Sequence, residues 1–374
     1  MTPDLGKTEN ARYLVERIHA RSLEHNPLGA PADRDLAVYL PPDYPTAKKQ
    51  RYPAVYFLHG YSGNNRAFTV YPTPETNPNL PAALIPPALL QQIDIDRVPS
   101  YQTFDRLIQE KQLPPFIFVQ PDGSLHQPDK FGQKIVTGDP RTKGSFYVNS
   151  PYTGNYENYI LESIQYVDAH YRTHSDPASR VIAGGSMGGY GALRLALHHP
   201  QLFGHVAALS PAEHGKALDA LNHKLRIPIY EAVFGSESAS QYGDALWEDI
   251  LDTRDLIYSK DRPLLPTVQR DASGKIVGFS REAAENIYRG SLHFLLNQLG
   301  KQGGEHFKNL RIYLSCEKHD EFGLAPAAMK LHQELQKLGI LHHFSLSDDP
   351  KAGLTPHILG IAYQITPALQ HCLR

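Results

Sequence analysis

Two rhythms of apolar and polar positions run along this chain. Short apolar runs of strand length recur. Asp35–Leu40 alternates and stops at Pro41-Pro42, whereas Pro53–Leu58 and Phe116–Gln120 are continuous, the latter ending at Pro121-Asp122-Gly123. Val181-Ile182-Ala183, Val206–Ser210, Leu310–Ser315 and His343–Leu346 continue the series. An alternating run predicts a half-exposed strand, here an early antiparallel one. Continuous runs predict strands buried on both faces, as in a parallel sheet. Helical spacing predicts helices over Tyr156–Tyr171, Ser186–His199, Pro326–Leu338 and Ile358–Leu373, with Gly339 where a C-cap is expected. Strand, loop and helix in repetition imply an α/β architecture: a mostly parallel central sheet flanked by helices.

Two stretches break the rhythm. Residues 71–100 are Pro-rich and longer than an ordinary strand-to-helix loop. Residues 212–307 show no clear strand–helix repeat, although Thr267–Arg270 and Lys275–Gly278 flank a plausible hairpin turn at Asp271–Gly274. The expected organisation is one domain over 1–374, with 71–100 and 212–307 inserted over the C-terminal ends of the strands. An open α/β sheet keeps its site at that edge.

Candidate chemistry begins at Gly184-Gly185-Ser186-Met187-Gly188, which reads G-x-S-x-G. A β-branched run precedes it and a helix-forming run follows. Strand, sharp turn and helix make the nucleophile elbow of an α/β-hydrolase. The turn strains the serine backbone, so small residues are needed on both sides, and Gly184 and Gly188 meet that need. A serine hydroxyl needs an adjacent base, and the base needs an acid to orient it. In this fold they follow in the order Ser, acid, His. Asp320, in the loop after Leu310–Ser315, is the expected acid, with Glu317 and Glu321 as competitors whose plain reading is a solvated carboxylate. His357, after the last strand, is the expected base. The Met187 N–H at a helix N-terminus and the Tyr61 N–H in His59-Gly60-Tyr61-Ser62-Gly63 are the expected oxyanion donors. Trp247, the single tryptophan, and Tyr147 are candidate substrate contacts.

These stretches resemble a known family. Leu58–Gly63, Pro121-Asp122-Gly123, Ser145–Ser150, Gly184–Ala192 and Asp320-Glu321-Phe322 are similar to the esterase D family of α/β-hydrolases. It includes S-formylglutathione hydrolases, feruloyl and acetylxylan esterases, enterobactin esterases and mycolyltransferases. The resemblance covers about residues 35–210 and 310–374. It implies a Ser186, Asp320, His357 triad and an oxyanion hole of the Tyr61 and Met187 amides, acting without a cofactor. The inserts, and Tyr190 where S-formylglutathione hydrolases usually carry a histidine after the elbow, depart from the compact members.

Composition narrows the rest. Hydrophobic residues are 41% of the 374, charged residues 20%, and Lys+Arg 37 nearly balance Asp+Glu 39. A formal charge of −2 without like-charge runs argues against nucleic-acid or anionic-membrane partners. No carboxylate or cysteine stands at ligand spacing from the His-His pairs, so no metal is expected. Cys316 and Cys372 allow at most one bridge. Met1–Ala20 is polar, which leaves a cytoplasmic protein or an exported one trimmed of its signal. The expected activity is hydrolysis of a carboxylic ester, of a feruloyl, aryl or carbohydrate kind, through an acyl-enzyme. Acyl transfer, thioester hydrolysis and a non-catalytic binding scaffold are the rival readings.

Overall fold

The structure is a computed structural model describing residues 12–61, 63–66, 94, 97–125, 144–213, 268–270, 272, 276–279, 288–302, 307, 309–353 and 356–374. The apolar runs form the strands β2 (Asp33–Tyr39), β3 (Ala54–Leu58), β4 (Ile117–Pro121), β5 (Arg180–Gly185), β6 (His205–Leu209), β7 (Arg311–Glu317) and β8 (His342–Ser347), and a further strand, β1 (Tyr13–His19), precedes them. They make one eight-stranded sheet in the order β1-β2-β4-β3-β5-β6-β7-β8. β2 is antiparallel to β1 and β4, and every pairing from β4 to β8 is parallel. The C-terminal ends of β3, β5, β7 and β8 therefore share one edge.

Helices cover both faces, and the pleat decides which side chain meets which layer. On β3, Ala54, Tyr56 and Leu58 face one core, while Val55 and Phe57 face the other. The first core takes its helical residues from α2 (Tyr156–His170), α3 (Met187–His198), α4 (Leu292–Gln302) and α5 (Ala325–Lys337). The second takes them from α1 (Tyr101–Gln109) and α6 (Pro356–Cys372). Local signals set the helix ends. The Ser100 side chain accepts the Thr103 N–H and caps α1. Gly339, at φ +67°, closes α5 as the sequence predicts, with its N–H on Gln336 O at 3.0 Å.

Three elements differ from expectation. β1 comes from the polar N-terminal stretch, where only Tyr13 and Ile18 are buried and the alternation is irregular. Its pairing to β2 along the whole strand, Tyr13↔Tyr39 to His19↔Asp33, builds it. α1 was not expected either. α4 falls inside the stretch read as an insert, yet Leu292 and Leu296 belong to the main core, so the chain has rejoined the α/β body well before residue 307. The return is tied to the elbow region: Glu213 Oε2 accepts the Leu292 N–H at 2.6 Å, and the Tyr190 hydroxyl donates to Gly290 O at 2.5 Å. The expected hairpin forms, with Val268–Arg270 antiparallel to Ile276–Phe279. Most of 71–100, and 214–267 within the second stretch, lie outside the described residues. No described helix is long and apolar enough to cross a membrane, and both cysteines are free and buried.

Candidate active site

β5 delivers Ser186 to the shared edge at φ +57° and ψ −119°, a backbone conformation rare for a residue with a Cβ. The neighbours explain how it is held. A Cβ on Gly188 would lie 1.9 Å from Leu58 O, and one on Gly184 would lie 2.4 Å from the Gly188 backbone. The elbow is pressed against the end of β3 and nothing larger fits, as the sequence expects of these two glycines. Backbone bonds to the β6 side brace it further: Ser186 N donates to Leu209 O, and Ala212 N to Ser186 O, each at 2.9 Å.

Asp320, in the loop after β7, and His357, in the first turn of α6, converge. His357 Nδ1 lies 2.7 Å from Asp320 Oδ2, and both side chains are buried. Asp320 Oδ1 accepts the Phe322 N–H at 3.0 Å, and the Phe322 ring stands edge-on to the imidazole, centroids 4.7 Å apart. Burial opposes the imidazolium, but the Asp320 charge and hydrogen bond outweigh it and raise the His357 pKa. His357 stands in the first turn of α6, and Ile361 lies one turn on along the same face. Ile361 Cγ2 takes the space a Gly185 Cβ would need, at 2.5 Å. That face of α6 thus packs on the residue beside Ser186.

Neither competing carboxylate is freely solvated, contrary to their plain reading: Glu317 is buried and Glu321 half-buried. Glu317 is 3% exposed and wedged against α6, where a Gly360 Cβ would lie 2.2 Å from its Cγ, and its Oε2 accepts the Asp349 N–H at 3.3 Å. Burial raises its pKa. Glu321 Oε2 accepts the His357 backbone N–H at 2.7 Å. Neither makes a hydrogen bond to the imidazole among the described residues.

The loop after β3 crosses the elbow. A Cβ on Gly60 would meet Ser186 Cβ at 3.4 Å. Met187 opens α3, so its N–H has no partner within the helix. Tyr61 and Met187 side chains meet over Gly144, where an added Cβ would lie 2.8 Å from Tyr61 Cδ2 and 2.3 Å from Met187 Sδ. A buried polar network lies beneath. His59 Nε2 accepts the Gly123 N–H at 2.8 Å, so Nδ1 carries the proton and donates to Gly60 O, also at 2.8 Å. Its 3.5 Å approach to Asp122 Oδ1 is then not an ion pair. Arg34, wholly buried, donates to Asp122 O and Ser124 O and stands 3.3 Å from Asp122 Oδ1. Burial works against the Asp122 charge, yet Arg34 holds its pKa well below the usual carboxylate range. Sequence reasoning missed Arg34. A lone arginine in an alternating strand carries no sign that it faces inward.

Tyr147 is corrected. It is 0% exposed, so it offers substrate no surface. Its ring fills the space beside two glycines: an added Cβ would touch it at 2.3 Å from Gly123 and 2.5 Å from Gly191. Its hydroxyl donates to His59 O at 3.0 Å, which supports the loop from below. Trp247 lies outside the described residues. No group of three or more His, Cys, Asp or Glu able to hold a metal occurs among the described residues.

A serine on a strained strand-to-helix turn, at the carboxyl edge of this sheet, defines an α/β-hydrolase. Residues 30–274 match the sequence profile of the putative esterase family, and the chain belongs to that family: it is an esterase. The match takes in Tyr61 and Ser186 and stops before Asp320 and His357. Among solved structures, the chain is similar to a ferulic acid esterase at TM-score 0.59 and 17% identity, covering 97% of each chain. It is also similar to an S-formylglutathione hydrolase from Staphylococcus aureus at TM-score 0.51 and 15% identity, covering 97% of this chain and 98% of that one. A third, the S-formylglutathione hydrolase from Agrobacterium tumefaciens, matches at TM-score 0.51 and 15% identity over 99% of each chain. At these identities the likeness is one of fold. No curated protein matches by sequence.

Proposed function

We propose that the chain hydrolyses carboxylic esters through an acyl-enzyme on Ser186. His357 takes the Ser186 proton as the hydroxyl oxygen attacks the ester carbonyl. The Tyr61 and Met187 amides receive the oxyanion. The tetrahedral intermediate collapses, the C–O bond to the alcohol breaks, and His357 protonates the leaving oxygen. Water then attacks the acyl carbonyl as His357 accepts its proton, the acyl–Oγ bond breaks, His357 returns the proton to Ser186 Oγ, and the acid leaves with the enzyme restored. Asp320 holds the imidazole in its Nδ1–H tautomer and stabilises the imidazolium. The observation that carries this reading is the 2.7 Å Asp320–His357 bond, on the helix face that packs beside the strained Ser186.

For the substrate we propose an ester of a phenolic acid, an aryl alcohol or a carbohydrate. The ferulic acid esterase among the structural neighbours supports this class. Thioester hydrolysis is the second reading, supported by the two S-formylglutathione hydrolases. A serine-directed phosphonate tests the nucleophile. It should label Ser186 once per chain and abolish turnover, and Ser186→Ala should resist labelling and lose kcat by on the order of 10⁶. A variant keeping more than about a hundredth of the wild-type rate would put the nucleophile elsewhere. Feruloyl, aryl acetate and thioester substrates assayed side by side distinguish the two substrate readings.

A further inference from the structure

We infer that Glu321 is a positioning residue for His357: its carboxylate docks the histidine backbone to the Asp320 loop and sets a second negative charge beside the imidazole. The inference rests on the reading of His357 as the base. Asp320 and Glu321 are adjacent in a tight turn after β7, where Asp320 N donates to Glu317 O at 3.1 Å and Gly323 N to Asp320 O at 2.9 Å. Gly323, at φ +67°, lets the chain turn back. The dipeptide splits its two acids over one residue. Asp320 Oδ2 takes the imidazole Nδ1 and Glu321 Oε2 takes the His357 backbone N–H, both at 2.7 Å.

That N–H belongs to the first turn of α6, where amides lack partners within the helix. A carboxylate there makes a charge-assisted bond at the positive end of the helix. Ring and backbone are thus clamped by one short loop, which removes the freedom of the histidine to pivot about a single contact. Catalysis is sensitive to that freedom, because proton transfer from the serine needs the imidazole in one place.

The second consequence is electrostatic. Burial pushes the Glu321 pKa up to about 7, against the pull of the His357 charge. Among the described residues, the ionisable groups acting on Glu321 are Asp320 from its own loop and His357 from α6. Each charge therefore acts on the other group: the imidazolium favours ionised Glu321, and ionised Glu321 favours the imidazolium and so raises the His357 pKa. Replacing it with a neutral acceptor should let His357 lose its proton at lower pH, and the acid limb of the rate profile should move down.

The experiment measures kcat/KM for p-nitrophenyl acetate against pH in the full chain, for wild type, Glu321→Gln, Glu321→Leu and His357→Ala, with the melting temperature of each recorded. Glutamine keeps an acceptor for the N–H and loses the charge. Its acid limb should fall by roughly half a pH unit to one unit. Leucine loses the acceptor as well, and its plateau rate should fall about tenfold or more below that of the glutamine variant. An acid limb in Glu321→Gln that coincides with wild type, while His357→Ala is inactive, overturns the positioning role alone. Equal plateau losses in the two Glu321 variants overturn the docking. Wild-type turnover in His357→Ala overturns the reading beneath. If Glu321→Leu does not fold, the limb of Glu321→Gln still decides.

Discussion

Ser186 is held at φ +57° and ψ −119°, a conformation whose strain is on the order of 1–3 kcal/mol. Tight contacts among Gly184, Gly188 and Leu58 O keep it there. The motif made this residue legible in the sequence, because the need for small neighbours is written into adjacent positions. In the proposed triad, Asp320→Asn should preserve shape and lose the correct tautomer, lowering kcat by roughly 10⁴ with the melting temperature nearly unchanged. Substrate turnover and thermal melts of the purified variant check both halves. Tyr147 shows the opposite situation. Its role is not legible in the sequence, because nothing local says that its ring fits between Gly123 and Gly191. Tyr147→Phe should keep the ring packing and leave His59 O without its donor. The expected cost is about 1–3 kcal/mol in stability and about a tenfold loss in kcat through a looser loop after β3, which carries the proposed oxyanion donor. Chemical denaturation and steady-state kinetics measure the two effects. A variant with wild-type kcat would remove the loop-support role.

At the scale of elements, strands and helices with a clear period were readable, and those that depend on a partner were not. The apolar stripe Leu292, Leu295, Leu296, Leu299 has helical spacing, yet its membership of the main core appears only when α4 is seen against its neighbours. β1 has too irregular a pattern to announce itself, and it exists because β2 needs an edge partner. The joint between α2 and α3 makes a testable case. Glu157, at the start of α2, accepts from His198 and His199 at the end of α3, with distances of 3.1 and 2.8 Å. Burial works against its charge, but these partners and Arg194 lower its pKa from 4.5 to about 2. A depressed carboxylate stabilises the fold above its unfolded pKa, and that contribution fades as pH falls through the folded value. Glu157→Gln should therefore melt several degrees below wild type at neutral pH, and the gap should narrow as pH drops from 4.5 toward about 2. Melting curves across that range decide it. A gap independent of pH would mean that shape rather than charge makes the joint.

For the whole molecule, the esterase body leaves substrate choice to residues beyond the proposed triad. Binding energy from remote parts of a substrate can be used in the transition state. We assign Trp247 to that work from the sequence alone. Trp247→Ala should lower kcat/KM for a large feruloyl ester about tenfold or more, with small aryl acetates hydrolysed nearly as before. Equal losses on both, with a lower melting temperature, would make it a packing residue. By itself, the sequence determined the layered α/β sheet and the elbow, and it supplied the proposed triad of Ser186, Asp320 and His357 in its order. These follow from local periodicity, from steric room on either side of one serine, and from the sequence of strand ends in a parallel sheet. Only the tertiary structure decided that Arg34 faces inward beneath the loop after β3, that Tyr147 is a prop, and that Asp320 and Glu321 hold the ring and the backbone of one histidine. Such pairings join residues far apart in the chain, and they exist because packing brings particular loops to one sheet edge, where burial forces each polar group to find a partner.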